Sequence, residues 1–423
     1  QPIINGMTDL LEKQSNLYHH IYRGLVNGKP ISETRLISCI QKSINPFKNK
    51  EEYDKLGLLP ELEIVISNTT EAGIVFNKDD KPEDGTLAST FPGKVTQLLW
   101  SRFSHFNGAK DKGLKFIPVE LIEKNGEKLK ESILKYAKLW QLPEKFISWV
   151  NEHNYFANTL VDRIVPGYPK DEADEIRTSI GFNDNLMVSS EVFHLWVIEG
   201  GKEIQAAFPA DRCGLNVIYT NNLSPYRTRK VRILNGSHTC MVPVGLLNGI
   251  TTVRESVEHK SLGRFVRHII FKEIAPTINL PKQELEAYAE EVLERFKNPF
   301  IRHELASIAL NSISKYKVRV LPSLLDYYKL TNALPKGLVL ALTHLIKLYL
   351  TDFIINDDQE VKQFFATLNP LAAAKDTIMN VLKNEAFWGT DLSKISGLVD
   401  LMTAQLELVN NSAGITEFEF IYE

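Results

Sequence analysis

The chain has 423 residues, 43% hydrophobic and 24% charged, which at roughly 100 to 200 residues per domain predicts two or three domains with full-sized cores. Lysine and arginine number 49 against 52 acidic residues, a net charge of −3. No global positive excess exists to condense onto nucleic acid or acidic lipid, and neither is expected as the main partner. Three cysteines, Cys39, Cys213 and Cys240, stand far apart with no CxxC or Cys/His spacing. They argue for a reducing compartment and against a structural zinc site or a disulfide framework.

Gln1-Pro2-Ile3-Ile4 reads as the end of a strand without an initiator Met, so residues are expected to precede it. The first residues have neither a basic start nor an apolar core with a small-residue cleavage site, and a cytoplasmic protein is the expectation. Residues 62–67 (LEIVIS) and 114–119 (LKFIPV) are short β-branched runs expected as strands buried on both faces. Between them residues 94–106 carry apolar residues at helical spacing after Pro92-Gly93, so the unit reads as a βαβ crossover. Residues 126–139 and 143–150 read as helices, and 192–198 and 215–220 as strands, giving an α/β unit with an added β layer.

From about Arg229 the strand signal almost vanishes. Residues 230–247, 262–273, 282–296, 316–330, 335–349 and 361–368 carry apolar residues three and four apart, as in helices. The predicted organisation is α/β plus all-α, with domains 1–225 and 226–423. The most apolar stretch, residues 337–350, falls short of the roughly 20 needed to cross a bilayer and reads as a buried helix.

Residues 85–95 (GTLASTFPGKV) superficially resemble a phosphate-binding loop. Seven residues separate the glycines and Val95 follows Lys94, whereas the Walker pattern needs four and a hydroxyl. A loop and helix start is expected instead. No GxGxxG occurs in the chain; either no dinucleotide binds or that turn precedes Gln1. His19, His20 and His105 have no partner at metal spacing, and no metal site is assigned.

The richest segment is 230–239, KVRILNGSHT. On a helix of about 100° per residue, Asn235 and His238 lie about 60° apart and Lys230 about 80° from His238. An amine, an amide and an imidazole then address one space, as carbonyl and alcohol chemistry requires; the alternative is a solvated lysine and a satisfied core histidine. Asp162-Arg163, amid apolar residues, is either a buried ion pair or a site carboxylate. Asn68, Thr69, Thr70 and Glu71 follow a strand where open sheets place ligand-binding loops, or else form a capping turn.

At these residues the chain resembles the long-chain polyol dehydrogenases, the mannitol dehydrogenase family, and in particular its tagaturonate-reducing branch. The similarity runs through residues 66–74 (ISNTTEAGI), 102–109 (RFSHFNGA), 159–169 (TLVDRIVPGYP), 230–239, 295–303 (RFKNPFIRH) and 307–322 (SIALNSISKYKVRVLP). The resemblance implies a Rossmann-like N-terminal domain lacking its first strand-turn-helix in this chain, and a helical C-terminal domain, with the site in the cleft between them. It implies metal-independent, NAD-dependent hydride transfer between D-altronate and D-tagaturonate. Lys230 would be the general acid and base, its pKa lowered by burial and neighbouring charge, with Asn235 and His238 holding the reacting oxygen and Asp162 nearby. Asn68, Thr69, Thr70 and Glu71 would contact the cofactor.

A substrate carboxylate calls for a cation; Lys315 matches a pocket position, Arg319 four residues on can share its face, and Arg232 and Arg302 are weaker candidates. Mannitol-type members carry Asp-Asn before an Asn-Gly pair, whereas here Glu120-Leu121 precedes Asn125-Gly126. Leu121 cannot donate an amide hydrogen bond, which disfavours mannitol and fructuronate. Reductases of those substrates, and a noncatalytic sugar-sensing or interaction protein, are the alternatives.

Overall fold

The computed structural model describes residues 6–70, 72–80, 86–353, 356–369 and 372–411; Gln1–Ile4 and Glu71 lie outside them. Two compact units emerge: Gln1–Arg23 with Ser32–Leu223, and Gly24–Ile31 with Ser224–Glu423. The first carries nearly all the sheet, and the second is helical, the α/β plus all-α organisation expected.

Nine strands occur among the described residues: β1 (Tyr18–Val26), β2 (Lys29–Ile37), β3 (Ile64–Ser67), β4 (Lys115–Pro118), β5 (Tyr155–Phe156), β6 (Thr159–Asp162), β7 (Val188–Glu191), β8 (Leu195–Glu199) and β9 (Val217–Thr220). They form three sheets, ordered β2-β1-β7, β3-β4-β5 and β6-β8-β9. β3 and β4 pair in parallel, Val65 opposite Phe116 and Ser67 opposite Pro118, and helix Phe91–His105 crosses between them, so the βαβ unit is present. Thr90 caps that helix by accepting the Gly93 N–H at 3.1 Å.

β4 is buried on both faces: Phe116 packs with Leu99, Leu129, Ile133 and Phe146, and Ile117 with Ala157, Ile198 and Ile204. β3 departs from that expectation, with Ile66 49% exposed, because β4 is its sole neighbour among the described strands. Arg102 is buried and spends its guanidinium on the carbonyls of Gly57, Leu59, Leu62 and Lys112, at 2.6 to 3.1 Å. That binds the chain leading into β3 to the helix beside it, satisfying carbonyls that burial would otherwise leave unpaired.

In the helical unit, Lys336–Tyr349 is the buried helix expected of the apolar stretch, with Leu338 through Leu342 fully buried. Its N-terminus is capped from outside: buried Glu273 accepts the N–H groups of Gly337 and Leu338 at 2.8 and 2.7 Å. A carboxylate there answers both the orphan donors and the helix dipole.

Several expectations need correction, among them the helix over 262–273, which is α-helical to His268 and π-helical across Ile269–Ile274. The strand over 192–198 starts only at Leu195, residues 192–194 being bend and loop. The helix over 316–330 is two, Ser312–Arg319 and Leu321–Thr331, since Pro322 opens the second and has no N–H with which to continue the first. The helix over 230–247 is π-helical across Lys230–Asn235 and α-helical only from Gly236.

Candidate active site

Within the helical unit the site is built on that π turn. Arg229, immediately before it, is buried; its guanidinium pairs with Glu284 at 2.6 Å and lies 4.3 Å from the Tyr288 ring centroid. Gly236, immediately after it, donates its N–H to Val231 five residues back, the bond that defines a π turn. Gly236 also passes close to another backbone, where a Cβ would stand 3.1 Å from the Arg319 carbonyl oxygen.

The widened turn changes the predicted geometry. In an α-helix Lys230 and Asn235, five residues apart, would diverge by about 140°. A π turn closes at i+5 and sets them on one face, and His238, three α-helical residues on, neighbours Asn235. Lys230 and Asn235 are half-buried, and His238 is buried.

His238 stacks on Phe296, with centroids 4.3 Å apart, and meets His303 edge to face at 5.1 Å. Its Nε2 is buried without a hydrogen-bond partner among the described residues. Burial first, then the charges of His303, Arg295, Arg319 and Lys315, holds the imidazole well below its usual pKa. His238 is therefore a neutral ring with an uncommitted nitrogen.

Lys315 and Arg319, on helix Ser312–Arg319, belong to this group. The Lys315 ammonium donates to the Ile308 carbonyl at 2.8 Å, and burial, then Arg319, lowers its pKa against the opposing pull of Asp357. Burial also lowers Arg319, which has no carboxylate partner among the described residues. The other cations are committed elsewhere: Arg232 to Asp326 at 2.8 Å and to Thr277, Arg302 to Glu304.

In the first unit, Asn68 and Thr70 are exposed beyond β3. Thr69 is held by buried Glu120, which accepts its N–H at 2.9 Å and its hydroxyl at 2.8 Å, and also the Ser67 hydroxyl at 3.0 Å. Leu121 beside it is 53% exposed. Asn125 braces this end of β4: its amide donates to Pro118, Glu120 and Thr159 carbonyls at 3.0 to 3.2 Å and accepts from Thr159 N–H. Asp162 ends β6 and is 4% exposed. Arg163 turns to the Glu191 carbonyl, donating from Nε and Nη2 at 3.1 and 2.9 Å.

Lys94 is buried on the Ser89 and Thr90 carbonyls at 2.8 and 3.4 Å, so the loop resembling a phosphate cradle is a helix start. His19 and His20 are occupied by Asp184 at 3.0 Å and Ser190 at 2.7 Å. No three His, Cys, Asp or Glu side chains converge as a metal site among the described residues, and no described helix is long and apolar enough to cross a membrane. Arg295 and His303 were not singled out from the sequence, although they open and close the segment RFKNPFIRH; Glu120 stood out there only beside Leu121, as a departure from the mannitol-type Asp-Asn, and not as the anchor of Thr69.

The mannitol dehydrogenase Rossmann domain profile matches residues 2–209, and the mannitol dehydrogenase C-terminal domain profile matches 222–410. The chain belongs to the mannitol dehydrogenase family. It is 44% identical over 416 residues to an altronate oxidoreductase of Bacteroides thetaiotaomicron, covering 97% of this chain and 87% of that protein. To an altronate oxidoreductase of Bacillus subtilis it is 44% identical over 405 residues, covering 95% and 83%. The fold matches a substrate-free D-sorbitol dehydrogenase at TM-score 0.81 and 21% identity, covering 96% and 84%. It also matches Pseudomonas fluorescens mannitol 2-dehydrogenase, solved with NAD and D-mannitol, at 0.66 and 19%, covering 97% and 84%. Family membership makes the chain an oxidoreductase acting on a CH–OH group.

Proposed function

We propose that this protein is an NAD-dependent oxidoreductase interconverting D-tagaturonate and D-altronate. The observation that carries the reading is the cationic group around His238: Lys315 and Arg319 stand beside a neutral, uncommitted imidazole next to an amine and an amide. A sugar acid needs both a cation for its carboxylate and polar groups for its reacting oxygen; a neutral polyol needs only the second. The names of the relatives at 44% identity point to the same substrate.

Asn68 and Thr70 fit the cofactor, presenting an amide and a hydroxyl at the carboxyl end of parallel strands, where open α/β sheets bind dinucleotides. The resemblance extends that role to Thr69 and Glu71. Bound NADH supplies the hydride that forms the new C–H bond. Lys230 gives its proton to the carbonyl oxygen as the ketone is reduced and takes it back as the alcohol is oxidised. Asn235 donates to that oxygen, and His238 does so with its hydrogen on Nε2. The resemblance extends a role in this reaction to Asp162. The free cysteines support a reducing compartment, the cytoplasm.

The test is NADH oxidation with D-tagaturonate and D-fructuronate, and NAD reduction with D-mannitol. A kcat/KM for tagaturonate at least tenfold above the others is expected. An equal or greater value for either competitor overturns the assignment of substrate, and no turnover with any of them overturns the enzyme reading.

A further inference from the structure

We infer that His303 is a specificity-determining residue of this site, donating a ring N–H to the carboxylate of the sugar-acid substrate. This rests on the reading above and goes beyond it, since Lys315 and Arg319 alone were assigned to the carboxylate there.

The first observation is placement. His303 is half-buried, and its ring stands edge to face with His238, centroids 5.1 Å apart at 79°. The two imidazoles are therefore near enough for one sugar to span both. The second is availability. The His303 side chain has no hydrogen bond to any described residue, and its ring nitrogens are not among the buried polar atoms left without a partner, so a ring N–H is open to a ligand's acceptor.

The third is rigidity. Val253 N–H donates to the His303 carbonyl at 2.9 Å, Leu305 N–H donates to the Thr251 carbonyl at 2.8 Å, and Thr252 bridges Glu304. His303 thus projects from a short two-stranded clamp that fixes its backbone before any ligand arrives, which lowers the ordering cost of binding.

The fourth is charge. Arg295, Arg319 and Lys315 all act on His238, and Asp357 is the carboxylate acting on Lys315. Glu304 pairs with Arg302, and Glu255 is taken up by Thr251 and Thr252. Burial holds His303 below its usual pKa, and an anion beside the ring favours its charged form. A carboxylate supplies the missing acceptor and the compensating charge together, whereas a hydroxymethyl group supplies no charge.

The experiment compares D-tagaturonate with D-tagatose, which has the same carbon skeleton with a primary alcohol in place of the carboxylate. NADH-dependent reduction of both is measured for the full chain and for His303→Asn and His303→Gln, with circular dichroism confirming the fold. Both variants are expected to lower the ratio of kcat/KM for tagaturonate to that for tagatose at least tenfold, through KM for tagaturonate. An unchanged ratio, or equal losses on both substrates, overturns the role of His303 while leaving the function standing. A parent protein that reduces tagatose but not tagaturonate overturns both.

Discussion

Lys230 occupies the first position of a π turn, and its half-buried amine shares a face with Asn235 only because of that turn. Positioned proton donors of this kind contribute about 10²–10⁴-fold to rate. Lys230→Ala is therefore expected to lower kcat for tagaturonate by about 10²–10⁴-fold while the circular dichroism spectrum stays that of the parent. Near-normal turnover in steady-state assays would remove Lys230 from the mechanism. The Lys-Asn-His combination was visible in KVRILNGSHT, but the angle that unites it was not. α and π turns draw on the same residue types, and the difference lies in the register of the backbone hydrogen bonds, as from Gly236 to Val231. His303 was illegible for another reason: a lone histidine in a loop gains meaning only from the ring it faces.

At the scale of elements, Glu273 sits on the second π-helical segment, Ile269–Ile274, and caps the helix Lys336–Tyr349 that fills the core. Glu273→Gln leaves one carbonyl oxygen for two buried N–H groups, a loss of about 1–3 kcal/mol for an unmet buried donor. The urea midpoint is expected to fall accordingly, and an unchanged midpoint would show that the cap contributes nothing. Gly337 is part of the same arrangement, since a Cβ there would meet Ile269 Cγ2 at 2.6 Å and Glu273 Oε2 at 3.0 Å.

The elements that sequence patterns disclosed are those with strong local signals. β4 is a β-branched and aromatic run buried on both faces, and Lys336–Tyr349 is apolar almost throughout. The hairpin of β1 and β2 escaped despite its Asn27-Gly28 turn, where both residues have positive φ. Its strands carry few buried residues, Ile21 and Gly24 in β1 and none in β2, so no alternation marks them.

At the scale of the whole molecule, four histidines among the described residues are held below their usual pKa. Burial, then Arg163, lowers His20 to about 4; burial leads for His194, His238 and His303 as well. Each takes a proton less readily when folded than when unfolded. The unfolded state therefore binds more protons below pH 6.5, and stability rises with pH through that window. For His20 the contribution is complete above about pH 6.5 and is lost as pH falls toward about 4. The urea midpoint should drop between pH 7.5 and 5.5, and His20→Gln should make the drop shallower. A flat profile would show that these rings are not kept neutral by the fold.

The turn between Lys230 and Asn235 couples the spelling of a motif to its backbone. Four residues separate lysine from amide here, and the wide turn absorbs the extra one. Three residues in an ordinary α-helix would put the same two groups about 40° apart, facing the same way. A comparison that aligns letters alone would score those two helices as different sites, although each offers a substrate the same face.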